Sequence, residues 1–253
     1  MTALANLRTK GYAVVTIKDR SGLDKVAEIF SNVLQGKPGT VGYKSIDYFF
    51  NSYHLFRDKS KNINELRMKA IKKLNRIPDL NFSICDLFYG DFKDIFGPDI
   101  IVQKGINLVI QEPGDPDPSE LHRDFPSNSA YEIVLWLPLC DCSVNKTMYL
   151  VDQPNSIELA REIRYSEKID WEKFTKKAKQ IAKPCPVKYG QGLIFITTLF
   201  HGSEVNSSET TRISINLRVK GLFSPAGQKN PFDFWQIYKT GVLTNNAIEF
   251  EKL

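Results

Sequence analysis

Two of the three histidines in this 253-residue chain lie in a pattern suited to metal binding. His122-Arg123-Asp124 provides a histidine and a carboxylate two positions apart, and His201 ends the apolar segment that runs from Leu193 to Phe200. Two histidines and one carboxylate commonly hold non-haem iron(II) in oxygen-activating enzymes, and they leave coordination positions open for other ligands. We therefore predict an iron(II) site with His122, Asp124 and His201 as its ligands.

The spacing of these residues also indicates how they could be positioned. Side chains two positions apart in a strand share a face, so His122 and Asp124 are expected to point together into the interior. Arg212 and Ser214, which follow His201 by eleven and thirteen residues, share a face for the same reason. Arginine grips a carboxylate through two parallel hydrogen bonds, and a serine hydroxyl can add a third. The pair predicts a dicarboxylate co-substrate, with one end on iron and the other on Arg212.

Composition places these residues in an ordinary globular chain. A chain of 253 residues with 42% hydrophobic and 25% charged residues can bury a full core, and we expect a single domain. The longest apolar stretches are far shorter than the roughly 18 residues of a membrane span, and the N-terminus lacks the apolar core of a signal peptide. We expect a soluble cytoplasmic protein. The four cysteines show no disulfide framework and should be buried thiols.

The net charge of +5 comes from the segment 161–188. Within it Trp171, Phe174, Ala178 and Ile181 recur at helical spacing, so the lysines are expected on the solvated face of an amphipathic helix. A second basic helix is predicted at about 62–76. No aromatic and basic strand motif accompanies these helices, and we therefore do not expect a nucleic-acid partner.

The elements around the candidate site change character near residue 100. An amphipathic helix is predicted over 21–34, and helical or aromatic-rich sequence continues to about Gly97. From Ile100 onwards, β-branched runs alternate with Pro, Gly, Asn and Asp clusters, which is typical of an antiparallel barrel or sandwich. We predict a mainly β chain with flanking helices and these strands: 100–110, 120–124, 132–139, 147–152, 193–201 and 212–219.

Several segments together carry a resemblance to a known family. They are His122 to Ser129, Tyr131 to Leu139, Lys146 to Tyr149, Gly192 to Phe195, His201-Gly202-Ser203, Asn206, Arg212-Ile213-Ser214 and Phe223-Ser224-Pro225. Over about residues 100–225 the sequence resembles the 2-oxoglutarate- and iron(II)-dependent oxygenases of the phytanoyl-CoA-hydroxylase-like superfamily. It is most similar to members found sporadically in bacterial carbohydrate-biosynthesis clusters.

The resemblance implies a double-stranded β-helix, or jelly roll, with iron on His122, Asp124 and His201 and with 2-oxoglutarate on Arg212 and Ser214. Asn107 and Thr147 are further candidates for contact with the co-substrate or the substrate. The family's usual Pro-Gly-Ser-His turn is replaced here by Gln153-Pro154-Asn155-Ser156. Related halogenases have a small residue in place of the carboxylate, so Asp124 argues against halogenation.

The implied function is oxidation of a small, polar, sugar-like biosynthetic intermediate by O2, with release of succinate and CO2. Two other functions remain open: a nucleic-acid or protein demethylase with the same chemistry, and a non-catalytic barrel. We expect one oxygenase domain over 1–253, with a mainly helical part at 1–99, the β-helix core at 100–225 and a tail at 226–253. The sequence does not specify the substrate, the oligomeric state, or whether the product is hydroxylated, desaturated or ring-oxidised.

Overall fold

The computed structural model describes residues 3–35 and 45–252. Its helices begin and end as follows: α1 Ala3–Lys10, α2 Arg20–Gln35, α3 Ile46–Asn51, α4 Tyr53–Phe56, α5 Ile63–Leu74, α6 Leu80–Asp86, α7 Tyr89–Phe96, α8 Gln153–Tyr165, α9 Trp171–Ile181, α10 Pro231–Phe234 and α11 Val242–Phe250. Its strands are β1 Tyr12–Thr16, β2 Ile100–Gln103, β3 Asn107–Gln111, β4 Glu132–Pro138, β5 Met148–Leu150, β6 Lys183–Pro184, β7 Gln191–Ile196, β8 His201–Ser203, β9 Arg212–Gly221 and β10 Trp235–Lys239.

The strands form a large and a small antiparallel sheet. The large sheet has the order β1-β7-β4-β9-β2-β10, and β3 pairs with the other half of β9. The small sheet has the order β6-β5-β8. Strands from 1–99 and from 226–253 thus extend the large sheet, because β1 pairs with β7 and β10 pairs with β2.

Strand alternation gives the large sheet two different faces. One face includes Leu135, and the ring of Phe88 lies so close to Gly192 on this face that a Cβ at Gly192 would be only 2.5 Å from it. The helices α5, α6 and α7 pack against β2, β3 and β9 of this sheet. The apolar residues of these elements form one large buried core. The other face includes Val134, Phe195 and Arg218, which lie in one row of paired residues.

Two predicted strands are each divided in the structure. The run 100–110 becomes β2 and β3, which pair with different parts of β9. The run 193–201 becomes β7 in the large sheet and β8 in the small sheet, separated by a turn in which Leu199 N donates to Ile196 O. This crossing from one sheet to the other brings His201 to the small sheet, so the division of the strand is what positions the second histidine.

The prediction of a mainly β chain is corrected by the structure, which is about 41% helix and 22% strand. The first 96 residues contribute one strand and seven helices to the described parts of the chain, and the segment between β5 and β6 holds α8 and α9. The predicted antiparallel pairing and the predicted helices over 21–34, 62–76 and around Phe174 are confirmed. The four cysteines are free and buried, as expected. In the described ranges, no helix is long and apolar enough to cross a membrane.

Candidate metal centre

The two histidines lie side by side where the small sheet ends. His122 forms an isolated antiparallel bridge with His201, in which each backbone N–H donates to the other residue's carbonyl at 2.9 and 2.8 Å. Their ring centroids are 4.3 Å apart. The sequence predicted a strand over 120–124, but the structure has this single bridge followed by a turn in which Asn128 N donates to Asp124 O. Three prolines before His122 explain the short pairing, since proline cannot donate to a strand ladder.

Asp124 completes a group of three potential ligands. One ligand atom from each of His122, Asp124 and His201 lies within 4.8 Å of the others. The nearest of the two Asp124 oxygens to His122 is Oδ1, at 3.9 Å from Nε2. The structure therefore brings together all three residues that the sequence predicted as metal ligands.

The histidine rings present the correct nitrogen for a metal. His122 Nδ1 lies 2.7 Å from Glu120 O, and His201 Nδ1 lies 3.0 Å from Leu199 O. Because a carbonyl only accepts, each Nδ1 carries the proton and each Nε2 keeps its lone pair in the neutral ring. Burial, with a smaller contribution from His122, lowers the pKa of His201 to about 4. His201 is thus a neutral imidazole at physiological pH, as a metal ligand must be.

An arginine from the large sheet holds the carboxylate. Arg218 Nη2 donates to Asp124 Oδ2 at 2.8 Å, and both side chains are largely buried, with 16% and 12% of their surfaces exposed. On the same side of the sheet, the Phe195 ring meets the His201 ring at a centroid distance of 4.8 Å. The candidate metal centre therefore lies between the two sheets. The face of the large sheet that includes Val134, Phe195 and Arg218, here called the inner face, lies opposite the histidines.

The same inner face carries the residues predicted to bind a dicarboxylate. Arg212, Ser214, Asn216 and Arg218 alternate along β9, so their side chains share this face. Arg212 is 4% exposed and Ser214 is fully buried, yet Arg212 Nε and Ser214 Oγ have no hydrogen-bond partner. The Arg212 side chain makes one hydrogen bond among the described residues, from Nη1 to Lys146 O at 3.3 Å. Buried donors are rarely left unpaired, which indicates that a ligand completes them.

The surroundings of Arg212 are electrically unusual because they hold two buried cations. Lys146, 5% exposed, donates to Asn51 Oδ1 at 2.8 Å and to Thr210 Oγ1 at 2.7 Å. Neither Lys146 nor Arg212 forms a salt bridge with a carboxylate in the part of the chain that the structure describes. Burial lowers the pKa of Arg212. An anion bound here would compensate positive charge that no carboxylate of the described residues pairs.

The two remaining candidates have different positions. Asn107 is exposed on β3 and pairs in register with Asn216, so it shares the inner face of the large sheet. The structure does not bring Thr147 to the three ligands. Its hydroxyl donates to Cys185 O, and strand alternation puts it on the face opposite that of Leu150, the residue paired with His201.

Sequence reasoning missed Arg218. Its signal was present, since Arg218 follows Arg212, Ser214 and Asn216 at a period of two on a strand whose other residues are mostly apolar. What the sequence could not supply was the partner, because Asp124 is 94 positions away along the chain.

Comparison with models of known protein families shows which family the chain belongs to. The model of the family described as phytanoyl-CoA dioxygenase matches residues 48–214, which include the three candidate ligands, Arg212 and Ser214. The chain belongs to the phytanoyl-CoA dioxygenase family. The predicted resemblance and the predicted class of enzyme, a 2-oxoglutarate-dependent dioxygenase, are thereby confirmed. No curated protein sequence matches the chain.

Solved structures with the same fold come from proteins of low sequence identity. The apo form of ThoJ, a non-heme monooxygenase, has a TM-score of 0.56 and 16% identity over 95% of this chain and 84% of its own. SnoK, a non-heme alpha ketoglutarate dependent carbocyclase from nogalamycin biosynthesis, has a TM-score of 0.53 and 16% identity over 89% and 85%. HygX from Streptomyces hygroscopicus, with nickel and 2-oxoglutarate bound, has a TM-score of 0.53 and 10% identity over 89% of both chains. At these identities the likeness concerns the fold.

Proposed function

We propose that this member of the family is an iron(II)- and 2-oxoglutarate-dependent oxygenase that hydroxylates a small, polar, sugar-like biosynthetic intermediate and releases succinate and CO2. His122, Asp124 and His201 hold the iron, and Arg212 with Ser214 binds the distal carboxylate of 2-oxoglutarate. When bound, the iron would activate O2 at the expense of 2-oxoglutarate, which is oxidised to succinate and CO2, and would so supply the oxidant for an unactivated C–H bond.

One observation carries the proposal: the ligand group faces the same side of the large sheet on which the unpaired buried donors lie. Arg218 on β9 contacts Asp124, while Arg212 and Ser214 lie on the same face, six and four residues earlier in that strand. Residues at even spacing in a strand share one side, so this face offers a second, anion-binding point on the side that the metal ligands face. A ligand with a chelating end and a carboxylate end fits both.

The protein's own groups bind and orient the reactants. The two histidines are fixed by hydrogen bonds to backbone carbonyls, so no ring flip is needed when the metal enters. Arg212 supplies a planar donor pair in a site that is almost closed to water, where charge-assisted hydrogen bonds are strong. The opposed large and small sheets fit the double-stranded β-helix that we propose for residues 100–225.

The polarity of the inner face supports a polar substrate. Asn216 Oδ1 is buried without a hydrogen-bond partner, and Asn107 lies beside it on β3. Amides that face each other across paired strands can donate and accept at once, as recognition of hydroxyl groups requires. A hydroxyl-bearing molecule of sugar size would satisfy these groups, whereas a purely apolar molecule would leave them unpaired.

The test is succinate release under aerobic conditions with iron(II) and 2-oxoglutarate. Candidate sugars, glycosides and amino acids form one panel, and methylated oligonucleotides and peptides form another. We expect a hydroxylated polyol-type product and one succinate per product, both absent in His201→Ala. Turnover restricted to methylated oligonucleotides or peptides would replace this proposal with a demethylase. The absence of co-substrate and metal binding in the wild type would remove the enzymatic proposal altogether.

A further inference from the structure

The contact between Arg218 and Asp124 separates the two oxygens of the carboxylate. Oδ2 accepts a hydrogen bond from Arg218 Nη2 at 2.8 Å, while Oδ1 faces His122 Nε2 at 3.9 Å. We propose that Arg218 is a positioning residue that keeps Oδ2 off the metal, so that Asp124 binds through one oxygen and a coordination position stays open. This inference rests on the proposed function, since it needs a metal on the three ligands.

Coordination numbers explain why one oxygen matters. Two histidines and a carboxylate bound through one oxygen fill three of six octahedral positions, and three stay free. A carboxylate can also bind a cation through both oxygens, which would fill a fourth position. A bidentate co-substrate and O2 need three positions between them. Holding Oδ2 on Arg218 therefore preserves the position that a free aspartate could take.

The geometry of the pair makes this restraint effective. In the described ranges, Arg218 is the one side chain that donates a hydrogen bond to the Asp124 carboxylate. Both groups are largely buried, and a charge-assisted hydrogen bond is strong where water is scarce. Arg218 itself belongs to β9, which pairs along its length with β4 and with β2 or β3. The backbone of Arg218 is thus fixed in the large sheet, while the aspartate lies at the start of a turn.

The proposal makes an unusual prediction about two affinities. In Arg218→Met, the metal loses a nearby positive charge and gains access to the second Asp124 oxygen, so metal binding without co-substrate should be as tight as in the wild type or tighter. The affinity of the metal-loaded protein for 2-oxoglutarate should fall instead, because Asp124 competes for a position. We expect a loss on the order of tenfold, in the range usual for coupling between directly contacting residues.

A direct contact between Arg218 and the co-substrate would also lower its affinity, and a double-mutant cycle separates the two explanations. Asp124→Gly removes the carboxylate, as in the halogenase pattern, and leaves the two histidines. If Arg218 acts through Asp124, Arg218→Met changes 2-oxoglutarate affinity in the wild-type background and leaves it unchanged in the Asp124→Gly background. If it acts directly, the loss is the same in both.

The experiment uses the full chain, with nickel(II) as a redox-inert probe and calorimetric titration of metal and then of 2-oxoglutarate. Arg218→Lys is the rescue variant, because an ammonium can still hold Oδ2, and its co-substrate affinity should lie nearer to the wild type than that of Arg218→Met. Arg123→Met is the matched control because it also removes a positive charge next to the ligands. The Arg123 side chain itself contacts the rings of Phe125 and Phe200. Thermal melting of the metal-free variants identifies any that fail to fold. If Arg218→Met fails to fold, the cycle is run with Arg218→Lys. For that variant we expect a smaller loss of 2-oxoglutarate affinity, confined to the protein that retains Asp124.

The outcomes are distinct. The proposal is supported if Arg218→Met loses 2-oxoglutarate affinity only in the protein that retains Asp124 and if its nickel affinity is undiminished. Equal losses in both backgrounds, weaker nickel binding, or no change in either affinity overturns it. If the wild type itself binds neither nickel nor 2-oxoglutarate, the proposed function fails, and that result is separate from any difference between the variants.

Discussion

Arg212 gives the sharpest prediction because its guanidinium is buried, no carboxylate of the described residues pairs with it, and the proposed function assigns it the distal carboxylate of 2-oxoglutarate. The substitution is Arg212→Met, which keeps volume and removes charge. Loss of one partner of a buried, charge-assisted pair costs roughly 2–5 kcal/mol, which corresponds to about 30-fold to several thousand-fold weaker binding of 2-oxoglutarate. The loss of affinity should appear only with ligands that carry the distal carboxylate.

Thermal melting of the nickel-loaded protein measures this. At a 2-oxoglutarate concentration of about 100 Kd the wild type should gain ~2.7 kcal/mol, a Tm increase of roughly 5–10 °C for a chain of this size. At the same concentration Arg212→Met should gain less than about 1 kcal/mol. In the absence of ligand the variant should be as stable as the wild type or more stable, because a buried guanidinium without a carboxylate partner costs desolvation energy.

The matched control is chemical. 2-Oxopentanoate has the same chelating end as 2-oxoglutarate but lacks the distal carboxylate. The wild type should discriminate strongly between the two compounds, and Arg212→Met should bind both with similar, weak affinity. If the variant retains the wild-type preference for 2-oxoglutarate, the distal carboxylate is bound elsewhere and the assignment of Arg212 is wrong.

Three further predictions concern His201, Glu132 and Asp124. The pKa of His201 is lowered to about 4, so between pH 6.5 and pH 4 the unfolded chain binds a proton that the folded chain does not. The metal-free protein should therefore lose roughly 3 kcal/mol of stability over this range. Urea titrations should show a smaller loss in His201→Asn. Burial raises the pKa of Glu132, so the stability that its protonated carboxyl contributes is present at acid pH and is lost as the pH rises. Glu132→Gln lacks this dependence, so its stability relative to the wild type should increase from acid to neutral pH. A stability difference that shrinks towards neutral pH would contradict this. With Asp124 as a ligand, products formed in excess chloride should gain oxygen, and a chlorinated product detected by mass spectrometry would count against the assignment of Asp124.

The candidate metal ligands could be recognised in the sequence because their signal is local. His122 and Asp124 are two residues apart. His201 follows an evident apolar run, and Arg212 begins another. Each needed only residue type and spacing. The same is true of the amphipathic helix around Phe174 and Ala178, whose buried side chains recur at helical intervals.

The rest depends on contacts between distant segments. The pairing of Arg218 with Asp124 follows from the crossing of the chain between the sheets after Ile196, which an uninterrupted apolar run did not reveal. The hydrogen bond from the Thr147 hydroxyl to Cys185 O joins residues 38 positions apart, which spacing along the sequence does not reveal. The helical content was underestimated because the irregular aromatic-rich stretch before Gly97 gives weak periodicity although it folds into short helices.

Anaerobic titration with iron(II) in the presence of 2-oxoglutarate tests the central claim most directly. The wild type should bind one iron per chain, and His122→Ala, Asp124→Ala and His201→Ala should each bind far more weakly while their metal-free forms remain folded. Wild-type protein that takes up no iron, or ligand variants that take up iron as tightly as the wild type, would contradict the claim that these three residues form the metal centre.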